Sequence, residues 1–163
     1  MINITWFFKS YWFGSHMHFY FPGMIVGIIL LQTAIVAPTL FKKLESNQVG
    51  PVIRALWPKF FLFLTILGIA TIVDLYQHNN PSNIHYAIAG LTTIFSLICY
   101  AIIPATNRAT DEGNHKRFNL LHRTSVILTV IILLMNIGFV LVWMAVIIIF
   151  KAQIGQEIDK VPI

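Results

Sequence analysis

Four long, mostly apolar stretches dominate the chain, at residues 19–41, 56–76, 84–103 and 124–150. A helix needs about 20 mostly apolar residues to cross a hydrocarbon core of about 30 Å, and inside it every backbone polar group must be satisfied within the segment. Each stretch meets that length. They are continuous and rich in Leu and Ile, unlike the short alternating strands of a membrane barrel. The expected fold is therefore all-α, an integral membrane four-helix bundle forming a single domain over residues 1–163. Composition agrees: 57% of residues are hydrophobic and 10% charged, and the mean hydropathy is +0.76. No ordinary soluble domain of this size reaches that value. The first stretch is too long for the core of a signal peptide, and Pro38 directly follows its only small-residue site, Ala34 to Ala37, so it is expected to remain as a helix.

The formal charge of +5 needs no nucleic acid to explain it. Lys42, Lys43, Arg54 and Lys59 follow the first stretch, and Arg108, Lys116, Arg117 and Arg123 precede the fourth, making eight of the eleven basic residues. Lys and Arg gather in cytoplasmic loops, so both termini are expected on the non-cytoplasmic side. The lone Cys99 forms no disulfide within the chain and reads as a small buried side chain of the third stretch.

Residues 1–18, MINITWFFKSYWFGSHMH, cluster aromatics around Lys9 and suit the headgroup zone, which predicts a short interfacial helix on the outer face. The rival reading of this segment is a docking surface for a neighbouring subunit. Gly50-Pro51 reads as a turn before a short amphipathic lead, and Pro58 suits the first turn of the second helix. The short connector HNNPSN makes the second and third helices antiparallel neighbours. The fourth stretch, about 40 Å long at 1.5 Å per residue, must tilt or project, and residues 151–163 form an outer tail.

That topology collects the chemistry-bearing side chains at one end. His16 and His18 precede the first helix, while Asp74, His78 and His85 flank the turn in DLYQHNNPSNIH. Asp74 and His78 are four apart, which places them on one side of a helix at a usual ligand spacing. The five residues form a candidate nitrogen and oxygen ligand set for copper or zinc, or supply two imidazoles to a haem. The competing reading is a solvated polar turn with Asp74 hydrogen-bonded across the bundle. No cofactor is the first expectation, and copper, zinc or haem the alternative.

Within the fourth helix His122, Thr129, Asn136 and Trp143 recur every seven residues, which predicts one inward face. Asn136 and Gln32 lie near the middle of their stretches and are expected to hydrogen-bond across the bundle, an unpaired amide in hydrocarbon being costly. Gly23 and Gly27 in the first helix, and Gly90, Thr93 and Ser96 in the third, are expected to permit close helix packing. No phosphate-binding glycine loop, Ser-His-Asp set, catalytic carboxylate pair or cysteine metal motif is present, so no catalytic residue is assigned.

Four segments carry a resemblance: HFYFPGMIVG, APTLFKKL, VGPVIRALWPKFF and IIPATNRATDEGNHKRFNLLHRTSVILT. Together they resemble the four-helix membrane family of unknown function that includes transmembrane protein 205, over most of residues 18–140. The resemblance implies the same fold and makes His18, His122 and Ser125 family-like positions. It departs where that family often has Asn four residues after the serine and this chain has Thr129. A more distant similarity to copper-resistance membrane proteins favours the metal reading by analogy of fold.

The leading functional expectation is a non-catalytic membrane subunit that stabilises or assembles a larger complex, such as a respiratory or other membrane oxidoreductase. Its partners are then the lipid bilayer and other membrane subunits or further copies of itself. The alternative is a metal- or haem-binding protein of electron transfer or metal handling. A small oligomeric transporter, with Gln32, Asn136 and Asp74 marking a path, ranks third, since no broken helix pair is apparent.

Overall fold

A computed structural model describes residues 19–77 and 82–158, and among them every long element is a helix. Helix α1 (Tyr20–Leu31) continues through a π-helical turn, Gln32–Val36, into α2 (Ala37–Lys43). Three long helices follow: α3 (Ser46–Gln77), α4 (Asn83–Asp111) and α5 (His115–Ile158). Four helical segments are long and apolar enough to cross a membrane: Tyr20–Lys43, Asn47–Gln77, Asn83–Asp111 and His115–Val142. The chain is an integral, multi-pass membrane protein. Short connections make successive helices antiparallel. The rod formed by α1 and α2 lies between α3 and α5, while α4 packs against both of those on the other side.

The buried positions explain why these helices pack as they do. A seam of them runs through Pro22, Ile25, Ile29 and Gln32 in α1 and its π turn, and through Phe61, Leu64, Gly68, Thr71 and Leu75 in α3, where Phe60, Thr65 and Leu67 are buried beside it and widen the inward face. In α4 they are His85, Ala89, Thr92, Ser96 and Cys99, and in α5 Thr129, Ile132, Asn136 and Phe139. Steps of three and four alternate in all four series. This 3.5-residue period is the seam along which helices interlock at shallow crossing angles. Large side chains on the opposite faces, such as Ile66, Ile94 and Leu134, are exposed to the surroundings that lipid occupies. Lipid is as apolar as leucine, so helix association here rests on close packing and polar contacts rather than on removing oil from water.

Local sequence sets the helix ends. At the junction of α2 and α3, the Glu45 N–H donates to Gln48 Oε1 at 3.3 Å, while the Gln48 and Val49 N–H groups donate to the Glu45 carbonyl. A side chain at the third helical position thus satisfies an orphan donor at the cap. At the end of α4, Gly113 adopts φ +64°. The Asn114 N–H reaches the Ala109 carbonyl at 2.9 Å and the Gly113 N–H reaches Thr110 at 3.1 Å. This closure needs a residue without a Cβ at the left-handed position. Asn114 then caps α5 by accepting from the Arg117 N–H at 3.1 Å.

The structure differs from the sequence reading in several places. Gly50-Pro51 is no turn: α3 begins at Ser46 and carries both Pro51 and Pro58 within it, and the chain turns at Leu44–Glu45 instead. Gly50 lacks the Cβ that would clash with the following proline ring, so the helical backbone continues. The helix expected from residue 124 begins a further two turns earlier, at His115, and residues 151–158 continue it rather than form a tail. The π turn was not anticipated. Pro38 has no N–H for the Ala34 carbonyl and its ring crowds that carbonyl, and the turn before it widens so that the Ala37 N–H reaches back to Gln32. The expected interfacial helix at 1–18 lies outside the described residues.

Candidate functional site

The polar side chains in the membrane interior converge on α4. Asn136 of α5 donates from Nδ2 to Thr92 Oγ1 at 2.9 Å and to the Ile132 carbonyl at 2.8 Å. One turn along, the Ser96 hydroxyl lies 2.9 Å from that of Thr65 on α3 and 2.8 Å from the Thr92 carbonyl. Each hydroxyl has one proton, so a chain from Thr65 through Ser96 to the Thr92 carbonyl uses both. Thr92 and Ser96 thus face opposite neighbours, and α4 ties α5 to α3 through groups that hydrocarbon would otherwise leave unsatisfied. Thr129 donates to the Ser125 carbonyl at 2.8 Å, and the Cys99 thiol lies 3.8 Å from that same carbonyl. Gln32 is buried at the π turn. Asn136 therefore bonds across the bundle to Thr92.

The inward face expected every seven residues on α5 holds at Thr129 and Asn136 but not at His122, which is exposed and stacks on Phe118 at 5.6 Å between ring centroids. His122 lies near the start of α5, where the buried seam has not yet begun.

Close approach involves the expected Thr93 on α4, but its partner is Gly68 of α3 rather than any of the glycines expected to permit it. A Cβ placed on Gly23, Gly27 or Gly90 would meet nothing within 4 Å, whereas one on Gly68 would lie 2.5 Å from Thr93 Oγ1 and 3.2 Å from the Thr93 backbone nitrogen. Gly68 is where α3 and α4 touch backbone to backbone. Neither Gly68, Thr65 nor Thr92 stood out in the sequence reading. The signal was present in Thr65, Gly68 and Thr71, small residues at every third position that alternate with bulky ones.

At the end of the bundle that carries the α3–α4 connection, Asp74 is half-buried and His85 is buried. The His85 ring packs at 4.6 Å from that of Phe139 on α5. Among the described residues no three His, Cys, Asp or Glu side chains gather as a metal ligand set. His16, His18 and His78 lie outside the described residues.

The opposite end is basic. Beyond the apolar stretches, Arg54 on α3 forms a two-pronged ion pair with Asp111 at the end of α4, one arm from Nη1 to Oδ2 measuring 3.3 Å. The charged hydrogen bond from Arg54 holds the Asp111 carboxyl below its ordinary range. It fastens the α3 and α4 ends over the turn that leads into α5. Lys42, Lys43, Lys116, Arg117 and Arg123 are exposed in the chain's basic segments.

Comparison with known proteins places this architecture among relatives. A protein of Aquifex aeolicus (strain VF5), described as an uncharacterized protein, is 30% identical over 108 residues, covering 66% of this chain and 79% of that protein. No solved structure matches the chain. Residues 20–115, from the start of α1 to the start of α5, match the family described as a domain of unknown function, DUF4149. That span contains three of the four membrane helices and the whole α3–α4 interface, and the chain belongs to this family.

Proposed function

We propose that this protein is a non-catalytic membrane subunit whose helices stabilise or assemble a larger membrane complex, such as a membrane oxidoreductase. The observation that carries the reading is the contrast between the polar interior and the outer face of α1. Inside, Asn136, Thr92, Thr65 and Ser96 are engaged in holding the bundle together. On the outside, Gly27 and Ala34 are exposed at a seven-residue interval, and the Gly27 backbone has no neighbour within 4 Å of its Cβ position. Small side chains at that spacing suit the close approach of another transmembrane helix. Leu31 and Ile35 flank them with exposed apolar surface.

The test is purification from native membranes in mild detergent, with identification of the chains that travel with the protein. Gly27→Leu with Ala34→Leu should release those chains while membrane insertion and helicity stay unchanged. If the doubly substituted protein retains every partner at native stoichiometry, the outer face of α1 has no such role.

A second reading is supported by the burial of His85 at the same end as Asp74. It is a metal- or haem-binding function, with His16, His18, Asp74, His78 and His85 supplying copper, zinc or haem ligands. The more distant resemblance to copper-resistance membrane proteins read from the sequence favours it by analogy of fold. Metal analysis and a visible spectrum of the purified protein decide it: a stoichiometric signal lost in His85→Ala supports it, and unchanged metal content in that variant removes it.

A further inference from the structure

We infer that the outward face of α5 holds an anionic phospholipid, with its phosphate in the basic groove at the helix start and its acyl chains along the apolar face above. The groove is open, about 550 Å³ in volume, and lined by Asn114, Lys116, Arg117, Asn119, Leu120 and Arg123. Lys116, Arg117 and Arg123 are all exposed, and so is Leu120 between them, at 66%. Of the nearby carboxylates, Asp111 is held by Arg54, which leaves Glu112 on the adjoining turn. The groove itself is lined by three basic side chains and by no acidic one.

What separates a lipid from a free anion is the continuation of this face. Counting about 100° per residue, Lys116, Leu120, Arg123, Ile127, Val130 and Leu134 all point within about 40° of one direction. The last three are exposed at 49%, 47% and 62%. Phe118, Leu121, Ser125 and Leu128, which are less exposed, lie on the other side of the helix, toward the bundle. From Arg123 to Leu134 the helix rises about 16 Å, close to half of a hydrocarbon core of about 30 Å. The face is thus charged at one end and apolar for the depth of one leaflet, the shape and polarity of a single phospholipid. Lys and Arg near a membrane surface attract anionic headgroups additively.

The test is native mass spectrometry of the full-length protein in detergent, titrated separately with phosphatidylglycerol and phosphatidylcholine of matched acyl chains, and with inorganic phosphate as competitor. Phosphatidylglycerol should be retained in preference to phosphatidylcholine. Lys116→Gln and Arg123→Gln should each weaken it about fivefold, with helicity unchanged because both side chains are exposed. Lys42→Gln with Lys43→Gln, on α2, should leave it as in the native protein. Equal retention of the two lipids overturns the inference, as does native affinity in the Lys116 and Arg123 variants, or an equal loss from the α2 substitutions, which would mean diffuse attraction. Displacement of phosphatidylglycerol by equimolar inorganic phosphate would make this a phosphate site and overturn the lipid assignment.

Discussion

The α3–α4 interface and the α1–α2 rod are equally apolar in sequence and differ sharply in how they are held. Of the most apolar window of α3, 39% is buried within the bundle and of that of α4 22%, against 17% for the rod, so the difference lies mainly in α3 and in the contacts it makes. At the first, Gly68 meets the Thr93 backbone and the Thr65 and Ser96 hydroxyls join two helices. In the second, Gly23 and Gly27 approach nothing, and a widened turn ends the buried seam at Gln32. In a membrane, apolar character decides only that a segment enters the bilayer. Small residues and hydroxyls placed opposite one another decide which segments lock together.

The largest effect that can break this comparison is steric. Gly68→Leu should destabilise the bundle by about 3 kcal/mol, read as earlier loss of helicity in detergent titration with dodecyl sulfate. The smaller Gly68→Ala should move in the same direction, because its Cβ meets backbone as well as side chain. A native unfolding curve for Gly68→Leu would mean that α3 and α4 do not touch there.

Polar contacts come next. Asn136→Leu removes the bond to Thr92 and should cost about 1.5 kcal/mol, near the upper end for hydrogen bonds between membrane helices. In a double-mutant cycle with Thr92→Val, most of that cost should appear as coupling. The Thr65–Ser96 pair, treated likewise with Thr65→Val and Ser96→Ala, should couple by about 0.6 kcal/mol. Zero coupling in both cycles would leave packing alone to hold α4 in place.

On the rod, Gly23→Ala and Gly27→Ala should change stability by no more than about 0.5 kcal/mol. That contrast with Gly68→Ala is the sharpest form of the comparison. A large loss at Gly27 in the native membrane but not in detergent would show a partner helix seated there.

The smallest effect concerns the exposed Arg54–Asp111 pair. The Asp111 carboxyl titrates below its ordinary value when folded, so the unfolded chain takes up its proton first as pH falls. The pair's contribution is therefore complete at neutral pH and is lost in acid as pH drops through the folded value. Asp111→Asn should be slightly less stable than the native protein at pH 7, with the difference gone in strong acid. A difference that persists there would have another origin.

Much of the membrane architecture was legible in the chain, and the limits of that reading have physical causes. The apolar stretches at 19–41, 56–76, 84–103 and 124–150 all fall within helices, because hydrocarbon forces every backbone group into local hydrogen bonds. Their ends were less legible. Outside the hydrocarbon polar residues extend a helix at little cost, so α3 starts at Ser46 and α5 at His115. The Gly50-Pro51 signal failed because a glycine before proline also tolerates a helix. Asn136 was identifiable as a residue that must find a partner, but nothing in the sequence singled out Thr92, one among several hydroxyls on α4.

By itself, then, the sequence determined the number of membrane helices, the alternation of their direction and the end at which basic charge gathers. These follow from length, hydropathy and short connections, which act on each segment separately. Only the tertiary structure decided that Gly68 rather than Gly27 is the point of closest approach, that Thr92 receives Asn136, and that His122 faces outward. Such choices depend on the rotation of each helix about its own axis, and a turn of roughly 50°, about the angle between neighbouring positions on one face, changes which side chains meet. That rotation is a property of the packed bundle, because lipid favours no one apolar face of a helix over another.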